Sequence, residues 1–118
     1  GGIIRFSHAI VGAEPVEVAT IKDQHVVHGG TAPTVSACGT TPSIVGRDEA
    51  ALVTVGTGGA ATSCTLTFAT AYATAPACVA SNETQILLTR ATSTTTTVVL
   101  DAALTFDADV ISYLCIGT

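Results

Sequence analysis

Short runs of alternating apolar and polar residues follow one another along this chain, separated by Gly, Pro, Asn, Asp and Ser clusters. The cleanest run is residues 62–68, where Cys64, Leu66 and Phe68 fall on one strand face and Ser63, Thr65 and Thr67 on the other. The last run, Val110 to Ile116, places Ile111, Tyr113 and Cys115 together on one face. Near the start, Val16 and Val18 oppose Glu17, residues 22–24 read as a turn, and Val26-Val27 reads as the return strand. Ile3 to Phe6 is a further short strand. Residues 31–46 are rich in Thr, Ser and Pro and predict two short strands, 34–37 and 43–45. Residues 50–55 and 62–68, joined by Gly56-Thr57-Gly58-Gly59, read as a hairpin with a loop of about six residues. Residues 69–75, closed by Pro76, read as an irregular crossover. A strand begins at Cys78, residues 81–83 turn, and residues 85–89 are apolar and strand-like. Residues 90–93 read as a link into a strand over 94–100. Residues 101–109 read as a longer loop with Leu104 and Phe106 as anchors.

The pattern predicts an all-β fold, an antiparallel β-sandwich or jelly-roll-like domain of about eight to ten short strands. At 118 residues the chain is expected to be one β domain spanning 1–118. Within it, residues 1–30 read as an N-terminal approach or assembly segment. The start at Gly1-Gly2, without Met, reads as a processed or excised piece. Composition sharpens this picture. The chain has 21 Thr and 19 Ala, no Met or Trp, and only Phe6, Phe68, Phe106, Tyr72 and Tyr113 as aromatics. Thr is a strand former, whereas Ala buries little area. A core of this kind is expected to draw on cross-links or neighbouring subunits, with Ile3-Ile4 and the Ala-rich faces as packing surfaces.

Charge narrows the function classes. Arg5, Lys22, Arg47 and Arg90 face nine carboxylates, for a formal net charge of -5. Nucleic acid and anionic membrane surfaces call for basic clusters, and the sequence has none. No run of 18 apolar residues is present either, so membrane insertion is not expected.

Cys38, Cys64, Cys78 and Cys115 are separated by 25, 13 and 36 residues, which matches no compact zinc-site spacing. Two disulfides, in any of three connectivities, are possible and at least one is expected, with four buried thiols as the alternative. Cys64 and Cys115 sit on core-facing strand positions, so bridges there would tie strands or sheets together rather than staple a loop. Oxidised cysteines imply an extracellular setting.

Candidate chemistry is thin. His25 and His28 are three apart, which on a strand sends them to opposite faces, and His8 is distant in sequence. No serine lies in a nucleophile elbow, and the adjacent Ser7 and His8 diverge in an extended strand. Asp48-Glu49, Asp101, Asp107 and Asp109 lack calcium-loop spacing and read as solvated turn residues. The glycine cluster lacks the Lys-Ser/Thr of a phosphate loop. Asn82-Glu83-Thr84 formally fits a glycosylation acceptor. The expectation is therefore no catalytic residue, no cofactor and no metal. Tyr72, Asp101 and Asp107 are candidate surface-contact residues, and the loops at 31–46 and 101–109 are the candidate contact surface.

One longer pattern stands out: Cys38-Gly39-Thr40-Thr41-Pro42, Val53-Thr54-Val55-Gly56-Thr57-Gly58, Ser63-Cys64-Thr65-Leu66-Thr67-Phe68, Pro76-Ala77-Cys78 and Ile111-Ser112-Tyr113-Leu114-Cys115. It resembles a β-rich C-terminal module of phage tail-fibre-like and related phage or bacterial surface proteins, over about residues 31–118. The resemblance implies a non-enzymatic module on a virion surface or outside a cell. Such a module is a fibre-tip or receptor-binding domain that assembles as a homo-oligomer, a trimer being favoured, and touches a host-surface glycan or protein. The alternative is a structural subunit of a capsid decoration, fibre or filament. The resemblance brings no catalytic residue.

Overall fold

A computed structural model of the chain describes residues 4–8 and 16–118. These residues form eleven strands and no helix: β1 Ile4–His8, β2 Val16–Lys22, β3 His25–His28, β4 Thr34–Ser36, β5 Ser43–Gly46, β6 Ala50–Thr54, β7 Ser63–Thr67, β8 Ala77–Asn82, β9 Thr89–Ser93, β10 Thr97–Ala102 and β11 Val110–Ile116. Eight of them build two four-stranded antiparallel sheets, in the orders β4-β7-β10-β9 and β5-β6-β11-β8. The fold is thus the expected all-β antiparallel sandwich. The first three strands pair in a meander of their own, β1-β2-β3, and share no ladder with either sheet. Asp23 and Gln24 both take positive φ between β2 and β3, as the two-residue turn matching strand twist requires.

Period-two patterning decides what lies between the sheets. Cys64, Leu66, Val98 and Leu100 point inward from one sheet, and Ala51, Val53, Ile111, Tyr113 and Cys115 from the other. Phe106 and Phe68 close the layer. Cys38 bridges to Cys64, and Cys78 to Cys115. The second pair joins residues directly opposite in the β8–β11 register, and the first ties the turn after β4 to β7. Both bridges therefore clamp neighbouring strands within one sheet.

Four details differ from the sequence reading. The segments on either side of Gly56–Gly59 are not a hairpin: β6 and β7 belong to different sheets. Each already has a neighbour on both edges, β5 and β11 for one, β4 and β10 for the other. The chain after β6 is instead drawn across the 38–40 turn. There the Gly56 N–H donates to the Cys38 carbonyl at 2.8 Å, and Thr57 and Thr40 exchange backbone bonds. A Cβ on Gly56 would lie 2.2 Å from the Thr40 carbonyl oxygen, so only glycine permits this crossing.

Residues 85–88 are a loop, and the strand runs from Thr89 to Ser93. The Asn82 side-chain oxygen accepts from the Thr84 and Gln85 N–H groups, which turns the chain out of β8. The Thr run divides: the Thr94 hydroxyl accepts from the N–H groups of Thr96 and Thr97 and makes the β9–β10 turn, and β10 starts at Thr97. Finally, only one of the two expected anchors in the 101–109 loop is buried, because Phe106 is fully enclosed whereas Leu104 is exposed.

The two outer faces are unlike. On the β4-β7-β10-β9 sheet, Ser36, Thr65, Val99 and Thr92 form one row and Ser63, Asp101 and Arg90 another, a polar face of the usual solvated kind. The other sheet turns Val45, Leu52, Val79, Leu114 and Ile116 outward.

Candidate functional site

The candidate contact residues separate into two places. Asp101 and Asp107 lie at one end of β7, where Asp101 pairs in register with Ser63 and the Asp107 carboxylate accepts from the Ala61 N–H at 2.7 Å. Tyr72 lies at the other end, against Phe68, with ring centroids 4.9 Å apart in an edge-on arrangement. The length of β7, about 15 Å, stands between them.

Around Asp101 the surface has more shape. Arg90 grips its carboxylate with two bonds, Nε to Oδ1 at 3.1 Å and Nη2 to Oδ2 at 2.6 Å. The hydrogen bonds from Arg90 hold the Asp101 carboxyl below the usual carboxylate range, with its charge adding to the effect. This pair lines an open groove of about 440 Å³ together with Leu87, Leu88, Ala102, Ala103 and Leu104. Of its walls, Leu88 is almost fully exposed and Leu104 two-thirds exposed, and Ile86, which lines a neighbouring groove with Leu88, is fully exposed. Leu87, between them, packs against the core and fixes the loop. Sequence reasoning took 85–89 for a strand and so missed Ile86, Leu88 and Arg90. The available signal was a run of three apolar residues without alternation, directly after the turn at Asn82.

Two further carboxylates, Asp48 and Asp109, are structural. Contrary to the reading as solvated turn residues, Asp48 and Asp109 are buried. Asp48 accepts from the Ala69 and Thr70 N–H groups and pins the irregular 69–75 crossover. Asp109 accepts from the side-chain amides of Asn82 and Gln85. Asn82, the formal glycosylation acceptor, thus has both ends of its amide engaged. Among the described residues no three His, Cys, Asp or Glu side chains are grouped to hold a metal ion. His25 is exposed, and the side chains of His8 and His28 lie outside the described part of the structure, as does Ile3. The 31–46 stretch is no free loop, since β4, β5, buried Cys38 and the Thr40–Thr57 bridge tie it down.

Both tyrosines belong to the Asp48 neighbourhood. The Tyr113 hydroxyl donates to the Arg47 carbonyl at 2.9 Å. Tyr72 OH, Glu49 Oε2 and Arg47 Nε are buried without a hydrogen-bond partner in the protein. Burial pushes the Tyr113 phenol well up, and the negative potential of Asp48, Tyr72 and Glu49 adds to it. Tyr72 is raised for the same reasons, burial first and then Glu49 and Asp48. An unfolded tyrosine releases its proton near pH 10. Stability from these groups is therefore full below about pH 10 and falls as pH rises further, because the unfolded chain sheds protons first. An alkaline titration followed by phenolate absorbance and by circular dichroism is expected to show tyrosine ionisation arriving together with unfolding. A phenolate transition near pH 10 in the folded protein would contradict this.

Comparison with protein-family models, with curated proteins and with solved structures finds no match. Two disulfides in a small β domain point to an oxidising, extracellular setting. Among the described residues no helix is long and apolar enough to cross a membrane.

Proposed function

We propose that this chain is a non-enzymatic surface module, displayed on a virion or outside a cell, that works as the receptor-binding or tip domain of a fibre. The observation that carries this reading is exposed Leu88 and Leu104 lining one groove with the Arg90–Asp101 pair, with fully exposed Ile86 two residues before Leu88. Apolar side chains held fully in water beside a fixed ion pair are costly unless a partner covers them. These side chains stand on two loops, 83–88 and 103–109, each joining one disulfide-clamped sheet to the other, which gives them a rigid base. The partner of this reading is a host-surface glycan or protein, and the module acts as a homo-oligomer, a trimer being favoured. The resemblance to phage tail-fibre-like modules agrees with it.

The test is adsorption of fluorescently labelled protein to a panel of intact bacterial cells, read by flow cytometry. Saturable adsorption to some strains is expected, reduced at least tenfold by the I86S/L88S double substitution with thermal unfolding unchanged. Adsorption to no strain would sink the receptor-binding reading.

A second reading, a structural subunit of a capsid decoration, fibre or filament, is favoured by the apolar outer face of the β5-β6-β11-β8 sheet.

A further inference from the structure

We infer that the outer face of the β5-β6-β11-β8 sheet is where a second copy of this chain packs. The inference rests on the homo-oligomeric reading above, assigns its surface, and through a face-to-face contact makes the unit a two-fold dimer in place of the favoured trimer.

The two sheets of the sandwich provide their own comparison. Both outer faces belong to the same small domain and both are built from β-branched and small residues. One carries Thr, Ser and an ion pair. On the other, Val45 stands opposite Leu52 on adjacent strands, Leu114 stands between Ala50 and Val79, and Ile116 faces Ala77. Five of the eight exposed large hydrophobic residues of the described chain lie on this one face. Between them are only Ser43, Ala50, Thr54, Ala77, Ser81, Val110 and Ser112. A sheet face meant for water alternates to polar side chains outward, and this one does not.

Charge selects the occupant. The chain is acidic, with a formal net charge of -5. Every outward position of this sheet is uncharged, while Asp48 and Asp109 are buried and Asp101 is paired on the opposite sheet. A basic partner would find no carboxylate to meet here. A second copy would bring an equally charge-free face and keep the carboxylates of both chains away from the contact. Leu52 and Leu114 lie on the two central strands, with Val45 and Val79 on the edges, so the patch is largest at its middle and complementary to itself across a two-fold axis. Two such faces pack about 10 Å apart. Strand spacing and rise give each a footprint of roughly 300 Å². A standard stable interface takes about 800 Å² per partner, so association through this face is reversible on dilution.

Val45 and Val79 are 74% and 67% exposed, so replacing them leaves the core intact. The experiment is light scattering after size exclusion over a dilution series. It compares the wild-type chain, V45K/V79K, the near-isosteric V45T/V79T, and T67K/T92K, which adds the same charge to the other sheet. Circular dichroism and thermal unfolding check that each folds. The wild type and T67K/T92K are expected at a mass at least twice the 11.8 kDa of the chain. V45K/V79K is expected at the monomer mass, and V45T/V79T to associate at least tenfold more weakly. Equal masses for all four proteins, whether monomeric or assembled, overturn the assignment. If the mass is unmoved while cell adsorption still depends on Ile86 and Leu88, the assembly surface is wrong and the proposed function stands. If the mass falls as expected and no protein adsorbs to cells, the surface is right and the receptor-binding reading fails.

Discussion

Reducing both disulfides is expected to unfold the sandwich at room temperature. The Cys38–Cys64 bridge closes a loop of 26 residues, which on the chain-entropy estimate restrains the unfolded state by about 3.5 kcal/mol. Cys78–Cys115 closes 37 residues and contributes about 4 kcal/mol on the same estimate. The two loops do not overlap in sequence, so their effects should roughly add. Together they match the lower part of the ~5–15 kcal/mol by which whole domains are stable. Little else in this chain offsets such a loss. The core has one fully enclosed ring, Phe106, with Phe68 and Tyr113 buried beside it, and otherwise small and aliphatic residues from a chain dominated by Thr and Ala. Denaturant unfolding with and without reductant, and with C38A/C64A and C78A/C115A separately, measures each bridge. Midpoints unmoved by reductant would show that the packed sheets alone hold the fold. The C78A/C115A protein should also lose protection in β8 first, because that bridge clamps an edge strand to the central strand β11.

Phe106→Ala should be the most damaging single substitution in the core, costing about 3–5 kcal/mol. Phe106 comes from a loop yet is wholly buried, and its backbone is held at both ends. Its N–H donates to the Ala61 carbonyl at 3.0 Å, and its carbonyl accepts from the Asp109 N–H at 3.0 Å. With the backbone fixed, neighbours cannot easily close on the space the ring leaves, which puts the cost toward the upper end of the range. Leu104→Ala, two residues earlier, removes an exposed side chain and should change stability by less than about 0.5 kcal/mol. Equilibrium unfolding of the two variants side by side decides the matter. Equal losses would mean that the loop is held by its strands rather than by Phe106.

The Leu104 and Phe106 pair illustrates what a linear pattern can tell. Both are large and apolar, separated by one residue in the same loop, and alternation offers no reason to bury one rather than the other. Beneath this loop the core takes one side chain, and the hydrogen bonds of Ala61 and Asp109 choose Phe106. The candidate site suffered in the same way. Asp101 was recognised as a surface residue, but its partner Arg90 was assigned to a link, and Ile86 and Leu88 to a strand. Arg90 meets Asp101 through the β9–β10 hairpin, whose Thr94 turn lies inside the run read as one strand, and the Asx turn at Asn82 that takes residues 86 and 88 out of the sheet is a local signal that the apolar run after it masked. The carboxylates look alike in sequence, yet Asp48 and Asp109 are buried because distant N–H groups and amides reach them.

By itself, the sequence determined the all-β class, the inward faces of β7 and β11, the turn at Asp23-Gln24 and the placing of Cys64 and Cys115 in the core. These follow from period-two alternation and local turn chemistry, which act over a few neighbouring residues. Only the tertiary structure decided which cysteines pair, that β6 and β7 part to different sheets, and that one sheet turns an apolar face outward. Each of those depends on which strand occupies a free edge. That choice is settled by hydrogen-bond satisfaction and packing over the whole domain, and no single segment of the chain carries the information for it.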